Sequence, residues 1–342
     1  MPDLCPTDEP PAILPPNAEG VGRAAELLRA GEVVALPTET VYGLAAHALD
    51  ERAVRYVFAI KGRPLIDPLI VHGLDLDFFA PLAHFTPLAR KLAESCWPGP
   101  LTLVVRKTSA VPLLVTAGRD TVALRAPAHP LMRAVIERCR LPLAAPSANP
   151  FGYLSPTRAE HVRDSFGGRV PWILDGGACA LGLESTILEV SNPTAAPRIL
   201  RPGPITAQAL SQILGVAVET EPPAPVASDA GLVAPGMLAR HYSPRTPLEL
   251  LEAGRTPESP PTGRRAAWVK LKRPVSGEDA TRGTEIFWLS EDGSLPVAAR
   301  ALYDLLRRLD GMGFEKIWCD RAPESGWGLA LNDRLQRAAG RG

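Results

Sequence analysis

The chain has no Cys-x-x-Cys pair. Its five cysteines, Cys5, Cys96, Cys139, Cys179 and Cys319, are odd in number and widely scattered. No zinc or redox pattern emerges from them, and no disulfide framework is expected. Cys179, after Asp175-Gly-Gly-Ala, is conceivable as a nucleophile, but a lone cysteine is more often a small buried apolar residue. Long apolar runs are missing as well. None approaches the ~18 residues of a membrane span, and the Pro-rich start has no apolar signal-peptide core. A cytoplasmic protein with no membrane contact is the expectation. There is no excess of charge of either sign, with 37 Lys plus Arg against 37 Asp plus Glu. The whole-chain field therefore does not draw in nucleic acid, and any anion site must be local. The P-loop, H-E-x-x-H and G-x-S-x-G signatures are absent, which removes the usual apparatus of covalent and zinc chemistry. One G-x-G-x-x-A spans Gly20 to Ala25, with Glu39 at nearly the distance of a ribose contact. It follows Pro15-Pro-Asn-Ala-Glu19 rather than a buried strand, so the glycines fit better inside a capped helix.

What is present is an ordinary globular composition, 46% apolar and 22% charged, in 342 residues, a length that suggests two domains. The 37 prolines are concentrated in a few places, at about twice the usual ~5%. One place is the acidic N-terminal arm; another is Glu221 to Pro235, which reads as a stiffened linker. Strand and helix signals alternate before and after it. The expected fold class is α/β: a twisted mixed sheet with flanking helices over residues 1–215, a linker over 216–244 and a smaller α/β domain over 245–342. Asn17, Asp50, Thr86 and Thr157 are read as helix N-caps, Thr157 as half of a capping box with Glu160.

The stretch Pro37 to Gly73 carries most of the chemistry. An apolar run, Val33 to Leu36, leads into Pro37-Thr-Glu-Thr40. A helix from Asp50 to about Ile60 then ends in Lys61-Gly-Arg-Pro64. Lys61, Gly62 and Pro64 are explained by an ordinary helix stop. Arg63, the hydroxyl-rich turn and His72 are not. Further polar residues close or open the later strands: Thr121 and Arg125, Ser147 and Asn149, Glu184 to Thr186, and Arg201. Four cations (Lys61, Arg63, Arg125, Arg201) with several hydroxyls suit an anionic ligand and a small substrate. Phosphoryl or adenylyl transfer by positioning needs no protein nucleophile.

In these residues the chain resembles the YrdC-like family, and among it the two-domain threonylcarbamoyl-AMP synthases. The matching segments are PTETVYGL, KGRP with PLIVH, WPGPLTLV, TVALRAPAHP, APSAN, GLESTI, LRPGPIT and APGMLARHYSP, between Pro37 and Pro244. The resemblance implies a YrdC-like sheet followed by a Rossmann-like C-terminal domain. It implies condensation of L-threonine, bicarbonate and ATP, with Mg2+, to threonylcarbamoyl-AMP and pyrophosphate. The product would feed a downstream machinery that modifies adenosine in tRNA, with at most a weak contact to tRNA itself. Carried over position by position, Thr40, His72, Arg125, Ala145 and Ser185 resemble the threonine pocket. Arg63, Asp67, Thr121, Ser147, Asn149, Arg201 and Tyr242 resemble the ATP set, with Lys61 and Arg63 as the catalytic cations. Tyr242 resembles a linker tyrosine that folds over the nucleotide. Three positions depart from the commoner pattern. Asp67 stands where Asn is usual, Ala145 where Thr is frequent, and Ala45 where a glycine is. Two rival readings are carbamoyl-adenylate chemistry on another acceptor and an RNA-binding module using the cationic concave face.

Overall fold

A computed structural model describes residues 10–220, 232, 234–235, 242–252, 254–274 and 283–340. The N-terminal arm through Glu9, the linker from Glu221 to Ala230 and the pair Arg240-His241 lie outside them. The described chain forms two compact units. The first takes the described residues within 1–151, 156–180 and 184–237, and the second those within 152–155, 181–183 and 238–342.

The first unit opens with β1 (Ala12–Leu14) and α1 (Ala18–Arg29), followed by β2 (Val34–Leu36) and β3 (Gly43–His47). Asn17 caps α1 by accepting from the Gly20 amide, as its position predicts. Next come α2 (Glu51–Lys61), β4 (Ile70–His72), α3 (Leu76–Phe79), β5 (Ala83–His84), α4 (Pro87–Cys96), β6 (Leu101–Lys107) and β7 (Thr121–Arg125). Then follow α5 (Pro130–Cys139), β8 (Leu143–Ala144), α6 (Ala159–Phe166), β9 (Trp172–Leu174), β10 (Thr186–Glu189), β11 (Arg198–Arg201) and α7 (Ala207–Leu214). Asp50 and Thr86 cap α2 and α4. The predicted capping box at Thr157 does not form. Helix α6 starts later, with Arg158 at its N-cap, and the Thr157 amide donates to the ring of His161 instead. A turn of helix was available to that sequence, but a closer acceptor took the amide.

The strands join in one mixed sheet, in the order β1-β9-β2-β3-β8-β4-β7-β6-β10-β11 with β5 beside β6. Successive strand side chains point to opposite faces, and this alternation decides where polar groups can go. On the β1-to-β8 side, both faces are buried under helices. Residues of α1 and α5 pack with Val34, Leu36 and Ala45, while residues of α2 and α6 pack with Ala35, Leu44 and Ala46. Burial on both sides is why β2 reads as an unbroken apolar run. Across β4, β7, β6 and β10, only one face joins a helical core. Val71, Leu103, Val105, Val122, Leu124 and Leu188 meet α4 and α7 there. The opposite face has a small apolar strip, Ile70, Val104, Ala123, Ile187 and Leu200, joined by Ala234 from the far end of the linker and by no helix residue. His72 and Arg125 lie two positions along from Ile70 and Ala123, so they share that second face.

The second unit contains β12 (Leu248–Leu251), β13 (Ala266–Lys272), β14 (Thr284–Ser290), α8 (Leu295–Asp310), β15 (Lys316–Asp320) and α9 (Trp327–Ala339). Its strands are all parallel, in the order β12-β15-β13-β14. That is the Rossmann-like arrangement expected of alternating strands and helices. Tyr242 is buried in this unit, at a left-handed φ of 61° that bulky residues rarely adopt. Its ring lies against Tyr303, with the Arg334 guanidinium above it.

Candidate active site

The turn Pro37 to Val41 is built by hydroxyls. The amides of Thr40 and Val41 donate to Thr38 Oγ1, and the Thr38 hydroxyl donates to the Val41 carbonyl at 2.6 Å. Its single proton is therefore spent. The 2.8 Å contact between the two threonines must be a donation from Thr40 to Thr38. Thr40 Oγ1 is left as an acceptor, and Arg125 Nη1 donates to it at 2.9 Å. A directed chain thus runs from Arg125 through Thr40 and Thr38 to the backbone.

Arg125 is 4% exposed and held on three sides. Nε donates to the Gly99 carbonyl, Nη1 to Thr40, and Nη2 to Glu39 Oε1 at 2.7 Å. Glu39 is itself buried, and its carboxyl is kept below the usual carboxylate range because the Arg125 charge overcomes the cost of burial. His72 sits directly opposite Arg125 in the β4–β7 pairing. Burial, reinforced by the Arg125 charge, pushes its imidazole down to about 3, so it is neutral at working pH. Its Nδ1 has no hydrogen-bond partner.

Ser185, the residue just before β10, meets Arg201 at the end of β11. Arg201 donates to the Ser185 carbonyl through Nε and Nη2, and to Ser185 Oγ at 3.1 Å. Ser185 Oγ lies 2.7 Å from Thr102 Oγ1. Thr102 escaped the sequence reading; its only signal is a hydroxyl interrupting the apolar run Leu101 to Val105. Ala145, by contrast, buries its methyl among Val34, Leu36 and Leu143. Only its backbone can face a ligand, and its amide already donates to the Ile70 carbonyl.

The residues assigned to phosphates form a second group. Gly62 ends α2 in a left-handed conformation, and the Arg63 amide closes the stop by donating to the Phe58 carbonyl. Lys61 is 4% exposed, and its Nζ donates to the Ser147 and Asn149 carbonyls at 2.6 and 2.5 Å. The Phe151 amide returns a bond to the Lys61 carbonyl. Burial, and after it the neighbouring Arg63 charge, pushes the ammonium well below its ordinary range. Arg63 folds back on its own loop, donating to the Asp67 and Pro68 carbonyls, with Nη2 2.9 Å from Asp67 Oδ1. The charge introduced by Asp67 is therefore compensated inside the loop. Thr121 is half-buried at the start of β7, opposite Arg106.

Cys179 is 3% exposed within the apolar cluster of α2 and α6, and burial pushes its thiol up to about 12. It does not serve as a nucleophile. His72, Arg125 and Arg201 are the last residues of β4, β7 and β11.

A family model described as "Telomere recombination" (Sua5, YciO and YrdC) matches residues 26–203, and one described as "Threonylcarbamoyl-AMP synthase, C-terminal domain" matches 205–340. Threonylcarbamoyl-AMP synthase of Pyrococcus abyssi is 39% identical over 321 residues, 93% of each chain. The chain belongs to the threonylcarbamoyl-AMP synthase family. The synthase of Bacillus subtilis is also 39% identical, over 98% of this chain and 96% of its own. The crystal structure of P. abyssi Sua5 complexed with L-threonine superposes with a TM-score of 0.84 at 35% identity, covering 96% of this chain and 98% of that one. The resemblance of the eight motifs is thus matched by likeness along nearly the whole chain, and the synthase family includes its C-terminal part as well. Among the described residues no helix is long and apolar enough to cross a membrane.

Proposed function

We propose that this chain condenses L-threonine, bicarbonate and ATP to threonylcarbamoyl-AMP and pyrophosphate, as a nucleotidyltransferase serving tRNA modification in the cytoplasm. The observation that carries this is the buried Arg125–Thr40–Glu39 cluster beside neutral His72, in a chain 39% identical to named synthases. Arg125 answers the amino acid's carboxylate through the N–H groups its protein partners leave over. Neutral His72 and Ser185 read the substrate hydroxyl, and a pocket built for a hydroxyl rejects analogues lacking it by orders of magnitude. Threonine's amine and bicarbonate give a carbamate and water. A carbamate oxygen then forms a bond to the α-phosphorus, and the bond to the β-phosphate breaks, releasing pyrophosphate with its electron pair. Lys61 fixes the Ser147–Asn149 loop, and with Arg63, Thr121 and Arg201 it is the set proposed to hold the nucleotide.

Magnesium enters with ATP as part of the substrate. The described residues do not form a site of their own for it. Among the described residues no group of three or more His, Cys, Asp or Glu could hold a metal ion, and Glu39 and Asp67 are each engaged by an arginine. Tyr242 is proposed to contact the nucleotide; within its own unit its ring lies against Tyr303, with the Arg334 guanidinium above it. Downstream, the mixed anhydride must be consumed by an enzyme that transfers the threonylcarbamoyl group to tRNA. The deciding experiment follows pyrophosphate release with threonine and bicarbonate omitted in turn, and identifies the product by mass. Release that depends on neither refutes the proposal.

A further inference from the structure

Glu39 is the carboxylate that the motif comparison leaves without a task. Its Oε1 is 2.7 Å from Arg125 Nη2, whereas the buried Oε2 has no hydrogen-bond partner. The amides of Glu39 and Ala128 lie near enough to favour the anion, but none reaches Oε2 with hydrogen-bond geometry. A buried ionised oxygen without a donor is costly, and a ligand that brings a donor recovers that cost. Arg125 is in the complementary condition. Three of its five N–H groups are engaged among the described residues, and its remaining donors suit a carboxylate.

The charges around Glu39 can be counted. Arg125 from β7 carries one positive charge. His72 from β4 is neutral, as is His129 at the N-cap of α5, whose imidazole is pushed down by burial. Cys179 stays protonated, with its thiol at about 12. The pocket therefore sums to zero, one buried cation beside one buried anion. A zwitterion has the same sum and the opposite arrangement.

We propose that Glu39 makes this pocket select a zwitterionic amino acid, with Oε1 positioning Arg125 for the carboxylate and Oε2 receiving the α-ammonium. Glu39 acts in recognition, not as the base for carbamoylation. The inference rests on the threonine reading above and adds the group that discriminates an amino acid from a hydroxy acid of the same shape.

The test is calorimetric binding to the full-length protein, using L-threonine and 3-hydroxybutyrate, which keeps the carboxylate and hydroxyl but lacks the ammonium. Glu39→Gln is expected to weaken threonine about 10- to 100-fold, as loss of a charged partner to a buried ammonium does. Binding of 3-hydroxybutyrate is expected to hold or tighten, since the pocket becomes cationic. The wild type should lose threonine affinity as pH rises through the substrate ammonium's titration, while the Gln variant should not. Glu39→Asp should recover part of the selectivity. Equal weakening of both ligands in Glu39→Gln, with an unchanged pH profile, would show a merely structural role and overturn the inference. A wild type that binds neither ligand would overturn the threonine reading, and the inference with it.

Discussion

Replacing Lys61 by Met tests whether this lysine holds the Ser147–Asn149 loop or only waits for phosphate. The ammonium donates to two carbonyls, that of Asn149 fully buried. Bonds from a charged donor are worth ~1.5–3 kcal/mol each, so ~3–6 kcal/mol of interaction disappears. Against this, the variant no longer buries an ammonium, which relieves several kcal/mol. The net expected loss at neutral pH is about 1–3 kcal/mol, within what a folded domain survives. The pH dependence is sharper. Because the folded-state value lies below the ordinary 10.5, the unfolded chain binds more protons than the native one between the two values. Wild-type stability therefore rises with pH through that window and levels off above ~10.5, while Met at this position contributes no slope. A neutral amine still has two N–H groups for the two carbonyls, so the clamp survives deprotonation. Urea denaturation at several pH values from neutral to 10 should show the gap between wild type and variant widening. A flat or narrowing gap would refute the lowered ammonium, and a variant as stable as the wild type at every pH would refute the clamp.

His72→Gln should remove a different slope. With the native imidazole at about 3 against an ordinary 6.5, the unfolded chain takes the proton first, so stability is complete above 6.5 and is lost as pH falls toward 3, by at most ~1.4 kcal/mol per unit. Superimposable acid titrations of wild type and variant would contradict the burial argument. Gly203→Ala would place a Cβ 2.4 Å from the Thr186 amide nitrogen and 2.7 Å from the Ser185 carbonyl carbon. Backbone cannot yield cheaply, so a loss of ~1–3 kcal/mol and a raised KM for threonine are expected from melting curves and steady-state kinetics. Thr102→Val keeps the packing but removes the partner 2.7 Å from Ser185 Oγ. A KM for threonine several-fold higher, with kcat little changed, is expected from one lost hydrogen bond of about 1 kcal/mol; a selective fall in kcat would move Ser185 out of substrate binding.

Local chemistry was legible where one residue type sufficed. Asn17, Asp50 and Thr86 announce helix starts because a side-chain oxygen beside free amides has few better partners. Thr157 and Glu160 carry the same signature, yet His161 Nδ1 competes for the amide at 3.1 Å, and that competitor is recognisable only once the turn has formed. Strand β3 was missed for a related reason. Gly43 to His47 contains three small residues, of which Ala45 packs with residues of α1 and Ala46 with residues of α2; its strand character comes from neighbours, not from β-branched side chains.

The site was legible as a set of residues but not as an arrangement. Eight motifs name the polar groups, and alternation along a strand puts His72 on the face of Ile70 and Arg125 on that of Ala123. What no motif carries is which face goes without helical cover. That follows from strand order, because β4 and β7 lie in mid-sheet where α4 and α7 take one side only. Arg125 could then be buried only if something in the same turn neutralised it, and Glu39 and Thr40 do so from adjacent positions. The turn Pro37 to Val41 is thus less a ligand loop than the counter-surface for one arginine, whose charge the protein balances within its own fold.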